Sequence, residues 1–105
     1  MALRVAWAEP ALADLDELAA YIARDSKAYS ISFIRKIRAA ARSLAHFPRR
    51  GRIVPEFTDP SIREIAVGNY RLIFQIQPAQ VVVLAVVHGA RDLFVAWKWS
   101  DRGGG

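Results

Sequence analysis

Cysteine is absent from the 105 residues. That excludes a disulfide framework and thiolate chemistry, and it fits a reducing, cytoplasmic setting. Histidine occurs only as His46 and His88. Neither stands in an HExxH or Cys/His spacing, so no metal site is expected. Gly68 and Gly89 are isolated, which leaves no phosphate-cradling loop. The serines lie in no nucleophile motif, and no cofactor is implied. The longest apolar run, residues 81–87, is too short to span a bilayer. The first 18 residues acquire four acidic side chains before any apolar run of signal-peptide length. Hydrolase, kinase and membrane readings therefore lack support.

Apolar residues make up 53% of the chain, enough for a packed core. The length suits one domain, residues 1–105, with 100–105 expected to fray. Net charge is +5, and its distribution says more than its sum. Residues 1–25 hold two basic and five acidic groups, residues 26–52 hold eight basic and no acidic ones, and residues 53–105 hold five of each. A concentrated basic segment predicts an acidic or polyanionic partner, with a solvated helix face as the bland alternative.

The stretch from Ile62 to Asp92 reads as three antiparallel strands joined by tight turns. Gly68-Asn69 is a two-residue hairpin loop, so Val67 faces Tyr70, Ala66 faces Arg71 and Ile65 faces Leu72. Side chains alternate along a strand. Tyr70, Leu72, Phe74 and Ile76 share a core face, while Arg71, Ile73, Gln75 and Gln77 share a second face with Glu64. Pro78-Ala79 makes the next turn. If Gln77 lies opposite Gln80, then Val82, Leu84, Val86 and His88 join the second face, and a one-residue slip would exchange the faces.

Ahead of the sheet, residues 3–7 read as a short strand. Pro10 suits the first turn of a helix, and Leu12, Leu15, Leu18, Ala19 and Ile22 form its apolar stripe. Asp25 or Ser26 caps a second helix, with Phe33, Ile37, Ala40, Leu44 and Phe47 on its stripe, Ile34 and Ala41 beside it, and Arg35, Arg38 and Arg42 opposite. The two helices form an antiparallel hairpin that covers the core face. Residues 49–61 contain Gly51, Pro55 and Pro60 and make a loop from helix to sheet. The fold class is thus α+β: an N-terminal strand and a two-helix hairpin packed on a curved, mainly antiparallel sheet. Residues 93–99 are strand or short helix.

The chemistry that remains is a cluster of Arg71, His88, Arg91 and Asp92, with Glu64 and Trp97 as further members. Two facing arginines are costly unless an anion or a carboxylate balances them. In one reading they hold a phosphate. In the other, Arg71 pairs with Glu64, while Arg91 and Asp92 clamp a turn. The second face, with Ile73, Val82, Leu84 and Val86, makes an apolar patch larger than a small monomer usually exposes; the chain's own strand at residues 3–7 or tail at 93–99 is expected to cover part, and a bound amphipathic helix or added strand from another protein the rest.

Four stretches in order, WAEPALADLDELAAYIARDS (Trp7–Ser26), FPRRGRIVPEF (Phe47–Phe57), REIAVGNYRLIFQI (Arg63–Ile76) and VVHGARDL (Val86–Leu93), resemble the ParE/RelE superfamily of type II toxin–antitoxin toxins. Within it they resemble the ParE-like, plasmid-stabilisation branch. The resemblance implies a toxin neutralised by a cognate antitoxin in a hetero-oligomer. In the ParE branch it implies DNA gyrase as the target, trapped on its cleaved DNA; in the RelE branch, a ribosome-dependent endoribonuclease acting on mRNA. Arg71 and Arg91 match family arginines of the ribonuclease. Its lysine pair is replaced by Ile62, Arg63 and Glu64, and its C-terminal tyrosine at best by Trp97, which can stack but carries no hydroxyl. Two of four elements are gone, which favours the gyrase branch and a protein without catalysis of its own. The catalytic set, should the chain be a nuclease, is Arg71, Arg91 and Trp97. Residues expected to meet antitoxin or target are Glu64, Arg71, Ile73, Val82, Leu84, Val86, His88, Arg49, Arg50 and Arg52. A third reading is a degenerate toxin that only binds its antitoxin.

Overall fold

The computed structural model describes residues 2–89. Strand β1 (Arg4–Trp7) leads into helix α1 (Glu9–Ala23) and helix α2 (Lys27–Ser43). A 3-10 turn at Pro48–Arg50 precedes the short strand β2 (Arg52–Ile53). Strands β3 (Ile62–Val67), β4 (Tyr70–Ile76) and β5 (Gln80–His88) follow. The sheet order is β1-β5-β4-β3-β2. Only the β1–β5 pair is parallel among these strands, because the whole helical hairpin separates β1 from the sheet it joins.

Helix α1 begins without a side-chain cap at Ala8 and has proline in its first turn, where a missing N–H leaves no helical bond unmade. Helix α2 is better specified: the Ser26 hydroxyl accepts the Tyr29 N–H at 3.1 Å. The buried Ser30 hydroxyl donates to the Ala19 carbonyl at 2.7 Å, which joins the two helices and leaves no buried hydroxyl unsatisfied.

The apolar stripe of α1 is rotated slightly from the expected one, and that of α2 ends sooner. On α1 the buried positions are Ala11, Leu15 and Leu18, while Leu12 is 40% exposed. The small Ala11 lets the helix approach the sheet, and Leu12, one position on, is turned 100° away. On α2, Phe33, Ile37, Ala41 and Leu44 are buried, but Phe47 is 69% exposed. The helix ends at Ser43, so the 3.6-residue period no longer places Phe47 on the core side.

The main core lies between the helices and one sheet face, joining Leu15, Ile37 and Leu44 to Leu72, Phe74, Val81 and Val83. The β3–β4 register is as the hairpin loop predicts, with Val67 opposite Tyr70 and Ala66 opposite Arg71. Gly68 has φ 58° and is the one positive-φ residue described, which is why glycine stands first in that loop.

Between β4 and β5 the register is as expected only for the first half of β5. Gln75 faces Val82 and Phe74 faces Val83, but Ile73 then faces Ala85, so Leu84 is an extra residue, a β-bulge. Beyond it the parity of β5 reverses. Val86 therefore lies in the helix-side core, and His88 lies opposite Tyr70, not on the second face as the unbulged register requires. Val87 takes the place beside Arg71.

The second face is also less open than expected. Ile62, Ile73, Leu84, Ala85 and Val87 form a smaller core with Val54 and Phe57 of the 49–61 loop. Ile73 and Leu84 are fully buried, and Val82 is half-buried. The loop thus supplies cover that the chain's own ends and an outside partner were expected to give.

Candidate functional site

The site grows from Arg71. Its position on β4 places its side chain on the second face, diagonal to Glu64 on β3. Arg52 on the edge strand β2 lies directly opposite Glu64. Glu64 is 4% exposed, so its carboxylate needs partners if it is to stay charged. It has two: Arg52 Nε donates to Oε2 at 2.5 Å, and Arg71 donates to Oε1 through Nε, with Nη2 also in contact.

The remaining edge of the Arg71 guanidinium is taken by Glu56. Nη1 and Nη2 donate to the two Glu56 carboxylate oxygens, each at 2.9 Å. This is the fork-to-fork geometry that makes arginine–carboxylate pairs strong. The side chain of Arg71 is 12% exposed and that of Glu56 21%, so the pair is shielded from much of the solvent. Arg71 holds the Glu56 carboxyl below its ordinary range, mainly through these hydrogen bonds, and Glu56 in turn raises Arg71.

Two adjoining hollows flank Arg71. One, of about 570 Å³, is lined by Arg52, Pro55, Glu56, Ala66, Tyr70, Arg71, His88 and the turn residues Gly68, Asn69 and Gly89. The other, of about 550 Å³, is lined by Arg50, Arg52, Glu64, Ile65, Ala66 and Arg71. Within this cleft Arg50 and Arg52 are exposed, and Arg49 is exposed on the adjoining 3-10 turn. The loop comes this close to the sheet through Gly51. A Cβ there would meet the Phe74 ring at 2.7 Å and the Glu64 carbonyl at 2.9 Å.

Of the residues singled out in the sequence, the structure brings together Glu64, Arg71, Arg50 and Arg52. It turns Val86 into the helix-side core, leaves His88 exposed beside Tyr70 at the rim of the first hollow, and buries Ile73 and Leu84. His88 sits edge-on to the Tyr70 ring, with centroids 5.3 Å apart. Arg91 and Trp97 lie outside the described residues, as do Asp92 and the 93–99 stretch. The pairing of Arg71 with Glu64 is present. Glu56 is the partner that sequence reading missed. Its one signal is that an arginine on a half-apolar sheet face needs carboxylates, and the crossing loop contains only two acids, Glu56 and Asp59.

No helix among the described residues is long and apolar enough to cross a membrane.

The fold is shared with solved proteins. A chain of the chromosomal ParDE toxin–antitoxin system from P. aeruginosa is similar at 17% identity with a TM-score of 0.68, covering 82% of this chain and 95% of that one. A chain of the RelBE2 toxin–antitoxin complex from Mycobacterium tuberculosis is similar at 23% identity with a TM-score of 0.63, covering 87% and 95%. Curated proteins gave no match. The model of the ParE toxin of type II toxin–antitoxin systems, parDE, matches residues 5–93. That span runs from β1 through the Arg71 cluster and past β5, and so the chain belongs to the ParE toxin family of type II toxin–antitoxin systems.

Proposed function

We propose that this toxin arrests growth by binding DNA gyrase and trapping its cleaved DNA complex, and that a cognate antitoxin neutralises it in a hetero-oligomer. The target is chosen over ribosome-dependent mRNA cleavage on one observation, the state of Arg71. An arginine that stabilises charge on a scissile phosphate must offer its donors to that phosphate. Here the two terminal nitrogens are held by Glu56 and the Nε by Glu64. Two carboxylates beside the same guanidinium would also repel an RNA backbone. The family lysine pair is replaced by Ile62, Arg63 and Glu64, which points the same way. A partner protein meets no such obstacle, and the exposed Arg49, Arg50 and Arg52 at the mouth of the cleft are the contacts proposed for it.

The antitoxin is proposed from family membership and from the solved neighbours, which come from toxin–antitoxin systems. A short reading frame adjoining this one, encoding a small DNA-binding protein, would support the pairing.

Two assays run on the same purified protein test the target. Gyrase supercoiling is expected to fall, with linear DNA accumulating when the reaction is stopped with denaturant. Ribosome-programmed mRNA is expected to stay intact. Untouched supercoiling at about micromolar protein, an affinity ordinary for specific partners, together with cut mRNA, would transfer the reading to the nuclease. Arg71 and Arg91 would then be its catalytic arginines, with Trp97 stacking on the base.

A further inference from the structure

Helix α2 turns its apolar stripe to the sheet and Lys27, Arg35, Lys36, Arg38 and Arg42 to solvent, all of them exposed. Among the described residues none of the five is in an ion pair, whereas Arg52 and Arg71 both are. Arg38 lies over the Trp7 ring, 5.9 Å from its centroid. The segment 26–52 offers no acidic residue that could serve. In the cleft, by contrast, Arg71 is satisfied by carboxylates on both edges.

Helix stability accounts for Arg42, a cation in the last turn, but not for the other charges. Lys27 is the first helical residue, and the first turn holds no acid, although the helix dipole favours anions there. Arg35 and Arg38 are three residues apart, and Arg38 and Arg42 four, spacings at which like charges repel. Such a row is unfavourable in the free protein and becomes favourable when an anion lies along it.

The shape of the row narrows the partner. Positions 27, 35, 38 and 42 run along one side of the helix for about 22 Å at 1.5 Å per residue. Two large apolar side chains, Tyr29 and Ile31, are exposed in the first turns of α2, too few for an apolar centre, and from Arg35 to Arg42 none is. A protein partner needs a desolvated apolar centre, whereas a phosphate backbone needs only positive charge in line. We propose that α2 is a binding surface for the backbone of double-stranded DNA, without sequence preference, with Lys27, Arg35 and Arg42 as its principal contacts. The surface is distinct from the Arg71 cleft, and it acts on duplex alone, with no gyrase present.

The experiment is fluorescence anisotropy of a short labelled duplex titrated with the full chain between about 50 and 200 mM KCl. Binding is expected to weaken with salt, with a log–log slope of about −3 to −4 from three or four phosphate contacts. The triple variant K27Q/R35Q/R42Q is expected to lose about tenfold or more at the lowest salt and to flatten the slope by about 2.7. Arg38 is left in place because it packs on Trp7, and circular dichroism checks that the triple variant is folded. The double variant D16N/E17Q, which makes the acidic α1 face more positive, controls for net charge and is expected to leave the slope unchanged.

The proposal is overturned if the wild-type chain shows no binding up to about 100 µM at the lowest salt, or if the triple variant keeps the wild-type slope. Tighter binding of a matched RNA duplex would reassign the surface to RNA. Equal competition by polyglutamate at matched charge would reassign it to an acidic protein. Loss of self-association in the triple variant, read by sedimentation without DNA, would reassign it to a second copy of this chain.

Discussion

The carboxylate of Asp14 on α1 accepts the backbone N–H of Val86 on β5 at 3.0 Å, across 72 residues of chain. Strand β1 pairs with β5 only as far as Val83. Beyond that point the outer edge of β5 has no strand beside it among the described residues, and the helix carboxylate takes the place of a strand carbonyl. The contact falls just past the Leu84 bulge, where the ladder is already disturbed.

Asp14→Ala leaves the Val86 N–H without this acceptor and is expected to cost about 1–3 kcal/mol in urea unfolding. Asp14→Asn keeps an acceptor oxygen and is expected to recover most of the loss. Hydrogen exchange of the Val86 amide should quicken in the alanine variant. Unchanged exchange there would show that the carboxylate does not hold this strand.

Arg71→Ala strands the buried Glu64 with Arg52 alone and frees Glu56. A loss of about 2–3 kcal/mol is expected, the range for hydrogen bonds to charged groups. Arg71→Lys keeps the charge but not the fork, so it should recover only part of this. Growth arrest per folded molecule is expected to persist in both if the gyrase reading holds. Abolished toxicity in a variant of unchanged melting temperature would point instead to a direct role for the guanidinium.

Acid should reveal the Glu56–Arg71 pair. Arg71 holds the Glu56 carboxyl below its ordinary value of 4.5. A carboxyl depressed in the folded state adds stability that is whole above its unfolded value and is lost as pH falls through the folded one. The melting-temperature gap between wild type and Glu56→Gln is therefore expected to be constant above about pH 5 and to close as pH falls below 4.5. Asp59, lowered by its bonds to Ser61, contributes in the same range and leaves Glu56→Gln with some acid sensitivity. A gap that does not change with pH would remove the electrostatic account of this contact.

Leu44→Ala, at a fully buried site in the main core, is expected to cost about 2–5 kcal/mol. Phe47→Ala, three residues on and exposed, should stay within about 0.5 kcal/mol. Thermal melts of the two variants compare them directly. Equal losses would mean that the chain after α2 packs differently.

Much of this architecture can be read locally. The Gly68-Asn69 loop sets the β3–β4 register because a two-residue turn leaves no freedom in pairing. The alternation from Tyr70 to Ile76 then assigns both faces. The helices follow from apolar spacing, although Leu12 and Phe47 show that a stripe locates a helix better than it locates the edge of its buried face. The four stretches shared with the toxin family lead to the same fold and to the family.

The site was less legible. Nothing in residues 80–88 marks Leu84 as an extra residue, since every position from Val81 to Val87 is apolar and suits either face. The bulge is decided by what each face packs against: helices on one side, the 49–61 loop on the other. Glu56 is fifteen residues from Arg71, in a loop whose path depends on Gly51 passing close to Phe74. Local sequence alone determined the elements, the turn and the concentration of positive charge in residues 26–52, because these depend on near neighbours. Tertiary structure alone decided that Arg71 is clamped, that Val86 faces the helices and that the second face is covered, because a buried charge or an apolar strand takes whichever partner the distant chain brings to it.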